Sequence, residues 1–442
     1  MTTAVESEQL HRKRINSWCM YDWANSAFAT TIMAALLPPY FSNVAAAGLD
    51  AARASSIWGY AVSIAMVFTA FMGPIMGAAA DYSGSKKRFM ASFVLLAVIF
   101  TGCLYLIQEG DWILAVVFYV LASIGNAGAN IFYDSLLPHV ARPDEMDRVS
   151  AKGFALGYLG GGLLLLVHLL WYMKPGWFGF ADGNIAVRVA FFSVAVWWVI
   201  FSIPIFRNVP EPPRSRSART GGGVLSEGIK RLAQTFREVR EYRQLFKFLL
   251  AFWLYADGIG TIIKMATIYG AEIGIGTADL AGALLLTQVV AFPMTILFGR
   301  LAKNMGTKRS IYLALGVYTV ISILGYFMSQ PWHFWVLAGM VGTVQGGSQA
   351  LSRSLFGSMC PKDRSAEFFG FYDISSKFAG IAGPLLFGVT AAVMGTSRWA
   401  IVSLVVFFIG GALLLSRVDE DEGRAIARAH EVPASVDPAI SS

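Results

Sequence analysis

Apolar runs of about 20 residues recur along nearly the whole chain, and they constrain the fold more than any other feature of the sequence. As a helix, each run is long enough to cross the hydrocarbon core of a bilayer. Charged residues make up only 14% of the chain, whereas about a quarter is usual in soluble domains. The chain is therefore predicted to be an all-α polytopic membrane protein.

The apolar runs predict twelve transmembrane helices in two six-helix halves. The first six are expected near 17–41, 56–80, 88–108, 112–137, 150–172 and 186–206. The second six are expected near 245–270, 279–302, 308–329, 332–357, 366–393 and 397–416. The resulting segments are an N-terminal tail 1–16, a first half 17–206, a linker 207–244, a second half 245–416 and a C-terminal tail 417–442.

The linker 207–244 is the longest polar segment between helices. Its part Pro210–Gly223 is rich in Pro, Arg, Ser and Gly, which predicts a flexible tether. The part after Gly223 has apolar residues at helical spacing with basic residues between them. We predict an amphipathic helix on the anionic cytoplasmic leaflet, with a solvated basic linker as the alternative. The polar, acidic tail after Arg417 is expected to be disordered.

The distribution of basic residues predicts the orientation in the membrane. Most of the 35 Lys and Arg residues lie in segments that alternate to one side. This is the positive-inside asymmetry, and it predicts a cell-membrane protein with both termini in the cytoplasm. The net charge of +7 is thereby explained without a nucleic-acid partner.

Two short polar stretches occupy matching positions in the two halves. Gly77–Arg88 and Gly299–Arg309 both carry a Gly, a second Gly seven residues later, and a basic pair two residues after that. Their separation is about half the chain. An internal repeat of this length predicts two similar halves, a plan found in many transporters.

The first stretch contains Gly-x-x-x-Asp-x-x-Gly-x-Lys-Lys, which resembles the loop signature after the second helix of the major facilitator superfamily. Tyr82 departs from that pattern in the first stretch. In the second stretch, Lys303 occupies the position of the acid. The resemblance implies a twelve-helix fold in which Asp81 faces a helix N-terminus and helps to close the cytoplasmic side. An ordinary positively charged cytoplasmic turn is the alternative.

The first helix contains a second, more specific signature. Trp18–Phe28 has the sequence WCMYDWANSAF, which resembles the opening of the vacuole effluxer family and its bacterial relatives. The resemblance implies transport of a small solute. Export of amino acids from vacuoles is attributed to the fungal members.

Charged groups at membrane depth are costly and need a partner or a function. Asp22 lies about one turn inside the first helix, with Asn25 three residues later. A desolvated carboxylate takes up a proton readily, so Asp22 is a candidate proton carrier and Asn25 a candidate substrate contact. A structural anchor at the helix end is the alternative for Asp22.

Asp257 and Lys264 on the seventh helix project to one face, about 10 Å apart along the axis. Such a pair is suited to the ammonium and carboxylate groups of a zwitterion, and Asp257 is also a second candidate proton carrier. Structural pairing with other helices is the alternative. Lys377, four residues after Asp373, is a secondary candidate for binding an anion.

The fourth and tenth helices carry matching polar stripes. Asn126, Asn130 and Asp134 are spaced by four residues, and a shift of 219 positions gives Gln345, Gln349 and Arg353. Asn126 and Gln345 are predicted to line a cavity. Asp134 and Arg353 are predicted to meet across the halves as a gate near the cytoplasmic surface. Helix–helix hydrogen bonding is the alternative role for such stripes.

Together these features predict a secondary transporter that moves a small polar solute, such as an amino acid, by alternating access. Asp22 and Asp257 make proton coupling available. No cofactor is expected, and no phosphate-binding loop supports direct ATP drive. The scattered His and Cys residues disfavour a membrane-embedded enzyme, and no large output domain supports a sensor. A drug or lipid exporter, which would have an apolar cavity, is the remaining alternative.

Overall fold

A computed structural model describes residues 2–213, 242–272 and 274–430, in which every regular element is a helix. The first half contains α1 Thr2–Ala27, α2 Ala51–Ser83, α3 Lys86–Cys103, α4 Trp112–Ser135, α5 Met146–Met173 and α6 Gly183–Asn208. The second half contains α7 Arg243–Glu272, α8 Thr277–Met305, α9 Thr307–Tyr326, α10 Pro331–Ser358, α11 Ser365–Phe378, α12 Ala382–Met394, α13 Ser397–Ser403 and α14 Val405–Ser416. A last helix, α15, covers Glu420–His430. The amphipathic helix predicted in the linker lies outside the described residues.

Nine candidate membrane spans are found among the described residues by length and hydropathy. They correspond to α2–α9 and to the α13–α14 segment, with a shorter apolar helix at Ala382–Met394. The exceptions are informative. The first and tenth helices do not qualify, and they carry the buried charged residues Asp22 and Arg353.

The first and the eleventh predicted helices differ from the prediction. The first helix begins at Thr2 and continues beyond Ala27 as a π-helix over Phe28–Leu36, so much of the predicted tail 1–16 is helical. The eleventh predicted helix is divided, because α11 ends at Phe378 and α12 begins at Ala382. The break lies at the depth of the buried residue Asp257.

The prediction of a disordered C-terminal tail was wrong for Glu420–His430, which forms α15. Acidic residues occupy its first turn, where they are favourable at the positive end of the helix dipole. Glu422 also accepts hydrogen bonds from Arg243 (2.8 Å) and Gln244 (2.5 Å) at the start of α7. These contacts and the burial of Ala427 fold a segment whose composition alone resembles a disordered tail.

Buried apolar side chains form two clusters, one in α1–α6 and one in α7–α14. Among the residues that the structure describes, only Ala366 and Ile131 join the cluster of the opposite half. The halves meet mainly where α2 packs on α11 and where α5 packs on α8 and α10. Many of these contacts lie at the end of the bundle that carries the first turns of α1 and the helix α15, here called the terminal end. The structure is closed at the terminal end.

The first glycine of each repeated stretch makes this closure possible. A Cβ atom at Gly77 would overlap the backbone of Ala366 in α11, and one at Gly299 would lie 2.6 Å from the Ala151 Cβ in α5. The two contacts are equivalent under the internal repeat. The glycines therefore let one half approach the other at two related places.

We predict that Gly77→Val opens the terminal end, because the added side chain clashes with the α11 backbone only in the closed form. Overpacking of this kind costs about 1–3 kcal/mol, which corresponds to a shift of about 5–150-fold between two states. Distances between spin labels at the exposed positions Arg88 and Asn304 report the change as a longer separation. Gly59→Val in the same helix is the control, since a Cβ at Gly59 meets nothing within 4 Å. Unchanged distances in both variants would contradict the prediction.

Candidate substrate cavity and gate

A cavity of about 390 Å³ lies between the halves, beyond the closed terminal end. It is lined by the first helix and α5 on one side and by α7–α10 on the other. Its polar lining residues are uncharged amides and hydroxyls: Ser26, Thr30, Tyr158, Tyr269, Thr287, Gln288, Gln345 and Gln349. Every other described lining residue is apolar or small, so the cavity suits a solute with no net charge and an apolar body.

The first helix reaches the cavity because α5 presents glycines to it. Ser26 and Thr30 lie where the α-helix changes to a π-helix, a form that often occurs at functional sites. A Cβ at Gly157 would lie 2.5 Å from the Ser26 hydroxyl, so only glycine permits this approach. The Thr30 hydroxyl lies 3.2 Å from the Gly161 carbonyl, to which it donates. These contacts place both hydroxyl-bearing residues at the wall of the cavity.

Amide side chains supply most of the hydrogen-bonding capacity of the cavity. Gln345 lines it, and one turn further along α10 the Gln349 carbonyl oxygen accepts a hydrogen bond of 2.7 Å from Tyr158. This bond joins α5 to α10 across the halves. The amide oxygen of Gln288 is buried and has no partner within the described part of the chain. It is therefore available as an acceptor for a bound solute.

Phe154 separates the cavity from a buried charge cluster on the terminal side. Its ring lines the cavity, and the Arg353 guanidinium lies 4.1 Å from the ring centroid. The same guanidinium lies 4.8 Å from the Trp18 ring centroid, within the range of a cation–π interaction. The cavity floor and the charge cluster therefore share one aromatic side chain.

The Arg353 cluster consists of Arg353, Asp22, Asp134, Tyr133 and Ser150. The Arg353 side chain is only 2% exposed and donates to Asp134 at 2.9 Å and to Asp22 at 3.2 Å. It also donates to the Ser150 hydroxyl at 2.9 Å, and Tyr133 donates to Asp22 at 2.7 Å. Arg353 belongs to the second half and all four partners belong to the first. One cation from one half is thus held by two carboxylates of the other.

A second set of contacts between the halves surrounds Asp81 in the first repeated stretch. Its carboxylate is buried, lies 2.7 Å from the Lys86 ammonium, and accepts from the backbone N–H of Glu367 at 2.8 Å and of Ala366 at 3.3 Å. These two N–H groups belong to the first turn of α11, the positive end of its dipole. Lys86 also donates to the Ser365 hydroxyl at 2.6 Å. The stretch therefore binds the opposite half by charge as well as by packing.

The related contact in the second half has the carboxylate on the other partner. Lys303 occupies the position that corresponds to Asp81, whereas Asp147 in the first turn of α5 supplies the acid. Thr307 donates to Asp147 at 2.6 Å, and Ser354 donates to its other oxygen. Asp147 and Lys86 were not predicted from the sequence. Lys303 was the sequence signal that could have identified Asp147. Because the second stretch lacks the acid of the first, an acid is expected on the helix that faces it.

Asn25, Asn126 and Asp257 are not among the described residues that line the cavity. Asn25 donates to Asn130 at 2.6 Å, which joins α1 to α4 inside the first half. Asn126 is half-buried, and neither it nor Asn25 is among the described lining residues. Asp257 is fully buried against α12.

Two predicted cations complete the set of candidates. Lys264 is exposed two turns beyond Asp257 on α7 and is not among the described lining residues either. The side chain of Lys377 lies outside the described part of the structure. The predicted zwitterion grip by Asp257 and Lys264 stays a prediction, and the structure places both of them outside the cavity wall.

Comparison with known proteins identifies related sequences over nearly the whole chain. A family model described as vacuole effluxer Atg22 like matches residues 10–428. The chain is 40% identical over 423 residues to the uncharacterized MFS-type transporter YxiO of Bacillus subtilis, which covers 94% of this chain and 97% of that protein. It is 28% identical over 317 residues to autophagy-related protein 22 of Yarrowia lipolytica, over 64% of this chain and 52% of the fungal protein.

Solved structures show the same architecture at low sequence identity. The proton:xylose symporter XylE matches with a TM-score of 0.70 at 14% identity, over 96% of this chain and 98% of that one. The human organic anion transporter MFSD10 matches with a TM-score of 0.69 at 12% identity, over 92% and 99%. These likenesses show the major facilitator fold, so the predicted fold class is confirmed.

We predict that Asp134→Arg alone opens the terminal end and that Asp134→Arg with Arg353→Asp restores closure. The single change places two cations together in a buried site, whereas the double change reverses one ion pair and keeps the total charge. Spin-label distances between positions 88 and 304 separate the two states. Asp144→Arg, at an exposed acidic position on the same end, controls for charge reversal as such. If the double variant is no closer to the wild type than the single one, the two residues are not gating partners.

Proposed function

We propose that this chain, which belongs to the Atg22-like vacuole effluxer family, moves a small solute of no net charge through the central cavity by alternating access. It is a multi-pass transporter of the major facilitator type. The observation that carries the proposal is an uncharged cavity lying directly behind a closed, charge-held end of the bundle. A solute bound there reaches the terminal side only after the Arg353 cluster separates.

The positive-inside asymmetry supports placing the terminal end in the cytoplasm of a cell-membrane protein. In that orientation the structure is closed toward the cytoplasm, and the cavity belongs to an outward-facing state. Arg207 and Arg243, at the two described ends of the linker, then lie on the side of the anionic inner leaflet.

An amino acid with an apolar side chain is the solute that we favour. Its charges cancel overall, and its ammonium and carboxylate groups can be met by amides and hydroxyls, including the unpartnered Gln288 oxygen. Its side chain can occupy the apolar part of the cavity near Ile262 and Val341. We therefore assign recognition to Gln345, Gln288 and the hydroxyl groups beside them, rather than to Asp257 and Lys264.

Export of an amphipathic drug-like or lipid-like molecule is a second candidate function. The predominance of apolar residues in the cavity favours it specifically, because the wall has few polar groups for so large a space. The two candidate solutes differ in whether they need a hydrogen bond from Gln345. An amino acid needs its amide, whereas an apolar body can bind without it.

Proton coupling is proposed through Asp22. Its carboxylate holds Arg353 together with Asp134, so the Arg353 cluster has one positive and two negative charges. A proton on Asp22 would cancel one negative charge and weaken the hold of the first half on Arg353. Proton binding and opening of the terminal end are then linked through one side chain.

We predict that leucine raises the Tm of the purified protein and that Gln345→Ala lowers the affinity about tenfold or more. Ligand binding stabilises the native state by mass action, and an unpaired polar group in a buried site costs about 1–3 kcal/mol. Thermal-shift titrations with leucine, glutamate, lysine, glucose and tetraphenylphosphonium compare the solute classes. Gln108→Ala, at an exposed loop position, is the matched control for loss of an amide.

Stabilisation by tetraphenylphosphonium alone, undiminished in Gln345→Ala, would favour the exporter and contradict the amino-acid proposal. Stabilisation by leucine that survives unchanged in Gln345→Ala would place the solute elsewhere than in this cavity.

A further inference from the structure

The break between α11 and α12 leaves backbone groups without partners inside the helix ladder. The first N–H groups of any helix lack an intrahelical acceptor. At membrane depth no bulk water is present to satisfy them, so an exposed pair would cost several kcal/mol. The first two residues of α12 are Ala382 and Gly383.

Asp257 of α7 satisfies both groups. One carboxylate oxygen accepts from the Ala382 N–H at 3.0 Å, and the other accepts from the Gly383 N–H at 2.9 Å. The carboxylate is fully buried. A negative charge at this point is favourable, because the N-terminus of a helix is the positive end of its dipole. Asp257 therefore caps a helix to which it is not joined in sequence.

Neighbouring residues fit closely around this cap. A Cβ atom at Gly383 would lie 2.6 Å from the Asp257 carboxylate and would overlap the Thr261 hydroxyl. The Thr261 hydroxyl donates to the Asp257 backbone carbonyl at 2.7 Å and borders the same small space as the carboxylate. Only glycine leaves room for the carboxylate to reach the helix end. The contact is thus specific in shape as well as in charge.

The break separates α11, which packs against the first half, from α12, which is held by α7 of its own half. In α11, Ala366 and Gly370 pack against α2 of the first half. In α12, the N-terminus is held by α7 through Asp257. When the terminal end opens, α11 must leave α2. The capped break is the place where the two segments can change their relative angle.

The charged groups around Asp257 are few. Lys264 acts on it electrostatically from two turns along α7. The sequences of α12 and α14 contain no ionisable residue, and α11 carries Asp373 and Lys377 near the break. Ile262, about 7 Å further along α7, lines the central cavity. The Asp257 carboxylate therefore lies close, along α7, to a residue that lines the cavity.

We infer that Asp257 is a proton-binding site that controls the break between α11 and α12. The ionised carboxylate accepts both N–H groups and holds α12 on α7. Uptake of one proton converts one accepting oxygen into a hydroxyl that faces an N–H donor, so one hydrogen bond is lost and α12 is released. The site adds to the proposed transport cycle a control point separate from the Arg353 cluster.

Hydrogen–deuterium exchange of the full-length protein in lipid nanodiscs tests this inference without a transport measurement. Protection of the Ala382 and Gly383 amides is measured from mildly alkaline to mildly acidic buffer and corrected for the intrinsic dependence of exchange on pH. We expect protection in the wild type to fall about tenfold or more on acidification. In Asp257→Asn it is expected to be low and independent of pH.

Thr261→Val is the matched control, because it alters the same pocket without removing the titratable group. Its protection is expected to stay dependent on pH, because the Asp257 carboxyl group remains. Constant protection across the pH range in the wild type would overturn the inference and leave Asp257 as a fixed cap. A pH dependence that persists in Asp257→Asn would overturn it as well, since another group would then be responsible. Neither result bears on the solute proposed for the cavity.

Discussion

The closed form depends on a single guanidinium that one half inserts into the other. Arg353 lies between Asp22 and Asp134, and Phe154 and Trp18 cover its faces. Removing one partner from a buried ion pair typically costs about 3–5 kcal/mol, because an uncompensated charge remains. The terminal end can therefore open readily only if the charge of the cluster is balanced in another way. In the proposed cycle, a proton on Asp22 removes one of the two negative charges that hold Arg353. Phe154 lies between the cluster and the cavity floor.

Around this ion cluster, the internal repeat supplies two related contacts between the halves. Gly77 and Gly299 permit the helices to approach, and Asp81 and Asp147 supply the carboxylates. Asp81 lies at the C-terminal end of α2, within the first repeated stretch, whereas Asp147 lies in the first turn of α5, the helix that faces the second stretch. Both related contacts therefore keep a carboxylate between the halves, although Lys303 replaces the acid within the second stretch.

Much of the architecture follows from sequence patterns that act locally. Helix positions follow from apolar length, and the proximity of Asp134 to Arg353 follows from their repeat-related places on α4 and α10. The role of Asp257 could not be predicted in this way, because its partners lie in a helix break 125 positions away. Spacing along α7 shows only that Asp257 and Lys264 share a face. The ordered tail was missed for a similar reason, since Glu422 finds Arg243 through tertiary packing alone.

In the proposed cycle, the Arg353 cluster links a proton on Asp22 to opening of the terminal end. Uptake of radiolabelled leucine, or of the solute that the thermal screen identifies, into vesicles with an imposed proton gradient tests this link. We expect Asp22→Asn to abolish accumulation against the solute gradient while exchange of solute across the membrane persists. Uphill accumulation at the wild-type level in Asp22→Asn would refute the link and leave Asp22 as a structural partner of Arg353.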